Sequence, residues 1–268
     1  MVACSNRVYA DWIVEAAVRS ILVASILTLP LLGIAPPVVA QEGEIWYRVQ
    51  IVQVRPEKLD DFTELYRDEV NPALQKAGVP WRSAWRTGQF GETYERQFIT
   101  PIAGFSELDG GGPLSRALGR RAYDRVLDKL RESSSGRQAY AVRYRQDLSV
   151  ESADVSGLSI ARVTNVRVAA GREGDFEAFL RANLDTFRDA GVVFGVYQRQ
   201  FGPGPVVWQI VENLRNYGEL ARGGIFRAFG DQSAREATRL TGVITSIERT
   251  VLEYDAELSF TGTLGVFQ

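Results

Sequence analysis

The sequence predicts an α+β protein made of two tandem β-α-β-β-α-β units, whose antiparallel sheets pack on each other as an intramolecular α/β barrel. Two observations predict it. The chain carries a long internal repeat, and within each copy the hydrophobic period switches between strand-like and helix-like spacing in the same order. The composition, 45% hydrophobic and 24% charged over 268 residues, has ordinary globular proportions.

The repeat comes first. Arg48 to Arg67 aligns without a gap on Arg162 to Arg181, and seven of those twenty positions are identical: Arg48/Arg162, Val49/Val163, Val52/Val166, Val54/Val168, Asp61/Asp175, Phe62/Phe176 and Arg67/Arg181. The match continues with small slips through Ala77-Gly78-Val79 and Ala190-Gly191-Val192, Phe90-Gly91 and Phe201-Gly202, Arg116-Ala117 and Arg227-Ala228, and Tyr144 and Tyr254. It divides the chain into a leader (1–40), a first unit (41–149), a linker (150–157) and a second unit (158–268).

Each unit opens with an alternating β-branched strand, Tyr47 to Val54 in the first. A helix follows, with Leu59, Phe62, Tyr66, Val70 and Leu74 at helical spacing and a stop at Gly78; its counterpart runs from about Gly171 to Ala190 and stops at Gly191. Two strands come next, Trp81–Phe90 and Tyr94–Ile99 around a tight turn at Gly91-Glu92, matched by Phe194–Phe201 and Val206–Val211 around Gly202-Pro203-Gly204. A second helical region covers about Leu114–Arg131 and Ile225–Leu240, and a last strand covers about Ala139–Leu148 and Ile244–Leu258. Ser133-Ser134-Ser135-Gly136 reads as a polar turn. The order is the ferredoxin-like motif, written twice. One such sheet leaves a face uncovered, so two units in one chain bury those faces on each other.

Ile21 to Ala35 is an uncharged apolar run that is too short for a membrane span. Small residues at Val38-Val39-Ala40 precede Gln41, so the leader reads as a signal peptide cleaved near Ala40, with a periplasmic or secreted mature protein and no stable membrane anchor. Asp11 and Glu15 depart from a positive leader, which points to a translation start nearer Val14 or Val18.

Absences narrow the chemistry. The chain has no histidine, and its one cysteine, Cys4, lies in the leader. That excludes His-activated serine or cysteine nucleophiles, thiolate or imidazole zinc sites and haem held by histidine or cysteine. We expect no cofactor and no metal site. The net charge of −2 is spread along the chain and gives no footprint for nucleic acid.

This order and its duplication resemble the dimeric α/β-barrel superfamily, which includes antibiotic-biosynthesis-type monooxygenases, NIPSNAP-type domains and chlorite-dismutase-like haem proteins. The likeness rests on element order and covers residues 45–260 as a fused pair; it carries no functional motif. It implies a barrel with two sheets facing each other. The missing histidine sets the haem branch aside and leaves the cofactor-free oxygenases and the binding members.

Candidate ligand-binding residues come from the repeat. Arg48 and Arg162 recur on the first strand; facing a pocket, they would hold a carboxylate or enolate oxygen, and otherwise they bind helix or strand ends. Tyr144 and Tyr254 recur on the last strand as hydroxyl donors or as core tyrosines. Trp85/Tyr197, Trp81/Phe194 and Arg96/Trp208 form an aromatic wall or plain core. Glu95 and Arg96 are adjacent on a strand, so only one of them can line a pocket. The function expected is binding of a small apolar or aromatic ligand in the inter-sheet cavity. The alternatives are a cofactor-independent monooxygenase of aromatic substrates, or a structural or oligomerisation module without a pocket. The quaternary expectation is a monomer or a higher homo-oligomer.

Overall fold

The computed structural model describes residues 43–152, 154 and 157–261. The leader and the sites of its cleavage and start lie outside them. Among the described residues, no helix is long and apolar enough to cross a membrane.

Eight antiparallel strands close a barrel. They are β1 (Ile45–Val54), β2 (Trp81–Thr87), β3 (Glu95–Ile102), β4 (Ser134–Tyr144), β5 (Ile160–Val168), β6 (Gly195–Phe201), β7 (Trp208–Leu214) and β8 (Ile244–Tyr254). They run in the order β3-β1-β4-β6-β7-β5-β8-β2, and β2 pairs back onto β3. A two-residue strand β9 (Phe260–Thr261) adds to the start of β2. The ferredoxin-like α/β-barrel fold is therefore present. β1 lies between β3 and β4, as β5 lies between β7 and β8. Two seams join the halves: β4 on β6, with Tyr144 opposite Tyr197, and β2 on β8, with Trp85 opposite Tyr254.

Strand alternation sorts the side chains into two layers. Tyr47, Val49, Tyr140, Val142, Tyr144 and Tyr197 cluster inside the barrel, joined by Trp85, Ala161 and Leu252. The odd-even partners face outward under helices. In the first half, Val52, Val54, Ala84 and Phe98 pack on Phe62, Tyr66 and Leu74 of the first helical segment and on Val126 and Leu130. In the second, Val166, Trp208 and Ile210 pack on Phe176, Phe179, Leu180 and Phe187.

The helices are α1 (Leu59–Leu65), α2 (Asn71–Lys76), α3 (Gly112–Leu118), α4 (Arg120–Ser133), α5 (Glu173–Ala182), α6 (Leu184–Asp189) and α7 (Ser233–Arg239). A π turn at Tyr66–Val70 joins α1 to α2, its cap bond running from the Asn71 amide to the Tyr66 carbonyl. Pro72 sits just beyond and has no amide to offer the helix.

Three expectations change. Residues 133–136 are not a turn: α4 ends at Ser133 and β4 starts at Ser134. The two hydroxyls cap the helix themselves, Ser133 Oγ donating to the Lys129 carbonyl and Ser134 Oγ to that of Leu130. The turn at Gly91-Glu92 is a longer loop from Gly88 to Tyr94, where Tyr94 has φ 63. And Trp81 does not match Phe194. The β2–β3 register sets Ser83 opposite Ile99, and the β6–β7 register sets Gly195 opposite Val211, so Phe194 corresponds to Arg82. A slip of one residue changes the face: Trp81 packs inside the barrel, while Phe194 lies under the helices.

Candidate functional site

The eight predicted residues divide evenly between the two layers. Tyr144, Tyr197, Trp85 and Tyr254 face the barrel interior and meet in pairs across the seams. The Tyr144 and Tyr197 rings are 5.1 Å apart and those of Trp85 and Tyr254 5.4 Å apart. Arg48, Arg162, Arg96 and Trp208 lie on the outer face, away from the interior expected for them. Arg48 bonds Gln50 Oε1 at 3.3 Å, and Gln50 in turn reaches the Tyr66 hydroxyl in the helical layer. Arg162 forms a bidentate pair with Glu212, at 2.8 and 2.7 Å, beneath the loop whose Leu220 and Gly223 carbonyls it also binds. Arg96 sits 3.7 Å from Asp255, and Trp208 is fully buried edge-on to Phe176. The expectation failed because β1 buries both of its faces, so alternation alone does not say which face is the interior.

The space between the sheets is small. Large aromatics fill it, and the remaining void, about 40 Å³ among Tyr47, Trp85, Tyr140 and Tyr197, takes a water rather than a ring. Its polar members had no sequence signal. Gln209 donates to Asn165 at 2.8 Å and reaches the Tyr140 hydroxyl at 3.4 Å. Glu95, not Arg96, is the inward member of its pair: Gln97 Nε2 donates to it at 2.8 Å, and burial raises its carboxyl above the usual range.

A larger cavity, about 190 Å³, opens at the barrel end where β4 and β7 finish and β5 and β6 begin. A void of about 150 Å³ is enough for benzene, so this one takes a single ring. Tyr144 and Tyr197 reach it from the inner layer; Glu151, Asn213, Arg222 and Arg227 contribute polar groups. The Tyr144 hydroxyl donates to Glu151 Oε1 at 2.5 Å. The Asn213 Oδ1 is buried with no hydrogen-bond partner. Arg227 is 3.2 Å from Glu212, which ties this wall to the Arg162 pair. Sequence reading placed Glu151 in the linker, where nothing marked it as the partner of Tyr144.

Burial, then the Glu151 hydrogen bond, raises the Tyr144 phenol well above its ordinary value. Burial likewise pushes Tyr47 up to about 12, with help from the Glu151 charge, and raises Tyr197 well above its ordinary value. These phenols therefore keep their protons and serve as hydrogen-bond donors, and Glu151 Oε1 accepts from Tyr144.

Haem, which the resemblance to chlorite-dismutase-like proteins raises as a branch, does not fit. The chain has no histidine to ligate it. The void left between the second half's sheet and its helices is about 30 Å³ among Phe176, Phe179 and Leu180. Among the described residues, no three metal-ligating side chains cluster.

No protein-family model matches the chain, and no curated protein does. Solved structures do match. A "putative monooxygenase" from Lactobacillus acidophilus NCFM has a TM-score of 0.54 at 8% identity, covering 81% of this chain and 96% of its own. An anthrone oxidase-like protein has a TM-score of 0.50 at 9% identity, covering 83% and 98%. A mutant chlorite dismutase from Candidatus Nitrospira defluvii has a TM-score of 0.51 at 11% identity, covering 79% and 92%. At such identities the likeness is one of fold alone: the chain shares its α/β-barrel fold with these structures.

Proposed function

We propose that this protein binds a small single-ring ligand bearing a hydroxyl or carbonyl oxygen, in the cavity at the barrel end. The observation that carries this reading is the Tyr144–Glu151 pair in a 190 Å³ cavity whose wall also holds the unpartnered Asn213 Oδ1. A phenolic hydroxyl entering there donates to Glu151 and accepts from Tyr144, and the Tyr197 ring supplies an apolar side. Calorimetric titration with phenol and catechol tests it. Binding should weaken at least tenfold in Glu151→Gln, and absence of binding to the unaltered protein would sink the proposal.

A second reading is cofactor-independent oxygenation of an electron-rich phenol. It is favoured by fold neighbours named as a monooxygenase and an anthrone oxidase-like protein. Here Glu151 takes the phenolic proton, Tyr144 donates to the phenolate oxygen, and the phenolate is the reductant: one phenol and one dioxygen give a quinone and water, the ring supplying all four electrons. Oxygen consumption with bound phenols separates the two readings. An oxygenase consumes dioxygen and loses this in Glu151→Gln, whereas a binding protein consumes none.

The same proposal takes the two halves as a fused tandem duplication, supported by the equivalent registers of β1 and β5. It takes residues 1–40 as a signal peptide removed on export to the periplasm or exterior. Mass spectrometry of the mature amino terminus should find Gln41.

A further inference from the structure

In the second half, one row of the outer face is electrically closed. β5 and β7 set Arg162 opposite Glu212, and the two side chains pair at 2.7 Å. Next to Glu212, the register from Gly195 opposite Val211 brings up Phe194, which is 2% exposed.

The same row in the first half holds Arg48, opposite Thr100. The register from Ser83 opposite Ile99 then brings up Arg82, which is 3% exposed. The carboxylate is replaced by a hydroxyl and the phenylalanine by a second arginine. Among the described residues neither guanidinium meets a carboxylate. Arg82 lies 4.0 Å over the Phe98 ring and 4.8 Å over Tyr66, and it donates to Asn71 Oδ1 at 3.3 Å. The rings cover its faces and Asn71 takes one amino group, but its Nε is buried with no acceptor. Burial pulls the Arg82 guanidinium down to about 10, as expected of a cation held without counter-charge. Arg48 is half-buried and is the outer end of the row. Leu114 and Leu118 of α3 add apolar surface to the same layer.

We propose that this row of the first half is an anion site that takes a small carboxylate with an apolar group, its carboxylate occupying the position that Glu212 fills in the second half. Two guanidiniums of different burial receive the two oxygens, the Thr100 position lies between them, and the apolar group lies against the α3 leucines. The site is separate from the cavity at the barrel end and depends on nothing proposed for it.

The test uses the full chain with sodium benzoate, with benzyl alcohol as its uncharged counterpart and inorganic phosphate as a bare anion, read by calorimetry and by the melting temperature. Benzoate should bind saturably and raise the melting temperature, and benzyl alcohol should bind at least tenfold more weakly. Thr100→Glu supplies the missing carboxylate from the chain itself. It should raise the melting temperature without ligand and weaken benzoate at least tenfold, while Thr100→Ser, which keeps the hydroxyl and the space, keeps benzoate within threefold. Arg48→Gln, at a half-buried position, should weaken benzoate at least fivefold and serves where Thr100→Glu fails to fold. Benzoate that fails to bind, or that binds Thr100→Glu and Arg48→Gln as it binds the unaltered chain, would overturn the proposal. Phosphate binding as tightly as benzoate would overturn the carboxylate assignment. Benzoate binding that is lost in Tyr144→Phe but kept in Thr100→Glu would belong to the barrel-end cavity and would also overturn it.

Discussion

The two halves of the barrel solve the same backbone problem and treat charge differently. In the second, Arg162 is buried, bound at both ends of its guanidinium and neutralised by Glu212, with Arg227 closing the set. In the first, Arg48 and Arg82 meet rings and amides and, among the described residues, no carboxylate. A buried ion pair stabilises a fold only while both partners are present; losing one leaves the other stranded. The second half therefore uses its arginine as structure, and the first keeps its arginines available.

The largest test of that contrast is Glu212→Ala. It strands Arg162 and should cost about 3–5 kcal/mol in urea unfolding. Thr100→Ala at the equivalent place should stay within about 0.5–1 kcal/mol. Equal losses would break the comparison.

Next come the two hairpin glycines. Gly202 has φ +123, and a methyl there would come within 2.4 Å of the Tyr140 Cβ and 2.9 Å of its Cα. Gly91 has φ +139 but would meet only the Thr87 and Thr250 methyls, at 2.8 and 3.0 Å. Gly202→Ala should cost about 2–4 kcal/mol, because backbone cannot step aside, and Gly91→Ala about 1–2 kcal/mol.

The repeated tyrosines differ more mildly. Tyr144→Phe removes a hydrogen bond to a carboxylate and should cost about 1.5–2 kcal/mol, read by thermal melts. Tyr254→Phe should cost under about 0.5 kcal/mol, because that ring contributes an edge contact to Trp85 that phenylalanine retains. The smallest effect is one of pH. Tyr47, raised to about 12 by burial, stabilises the fold fully below the unfolded phenol value near 10, and this contribution is lost as pH climbs from there through about 12. The second half has Ala161 at that place on β5. Tyr47→Phe should therefore flatten the fall in melting temperature above pH 10.

Much of the barrel was legible because periodicity and repetition are properties of the chain. Val52, Val54, Val166 and Val168 marked the strands, and Phe62 and Phe176 the helix faces. The seams also left a trace in diverged pairs: Arg143 bonds Gln198 across one, and Glu253 pairs with Arg86 across the other. What could not be read was orientation. A strand buried on both sides gives no clue to which face is inward, so Arg48 and Arg162 were assigned to the interior and lie outside it. Nor does a repeat announce the loss of a partner. Thr100 at the Glu212 position becomes informative only once the register is known. Glu151 was hidden for a different reason: linkers follow no period, and its meeting with Tyr144 is made by tertiary structure alone.

The seams bear on how the molecule comes to be folded at all. Trp85 pairs with Tyr254, so the last long strand to leave the ribosome completes the sheet of one of the first. Until it arrives, β2 and β5 present bare edges, the usual template for unwanted strand pairing. Contacts so distant in sequence are slow to form. The first half made alone should consequently seek a substitute for its missing sibling, pairing with another copy of itself or aggregating.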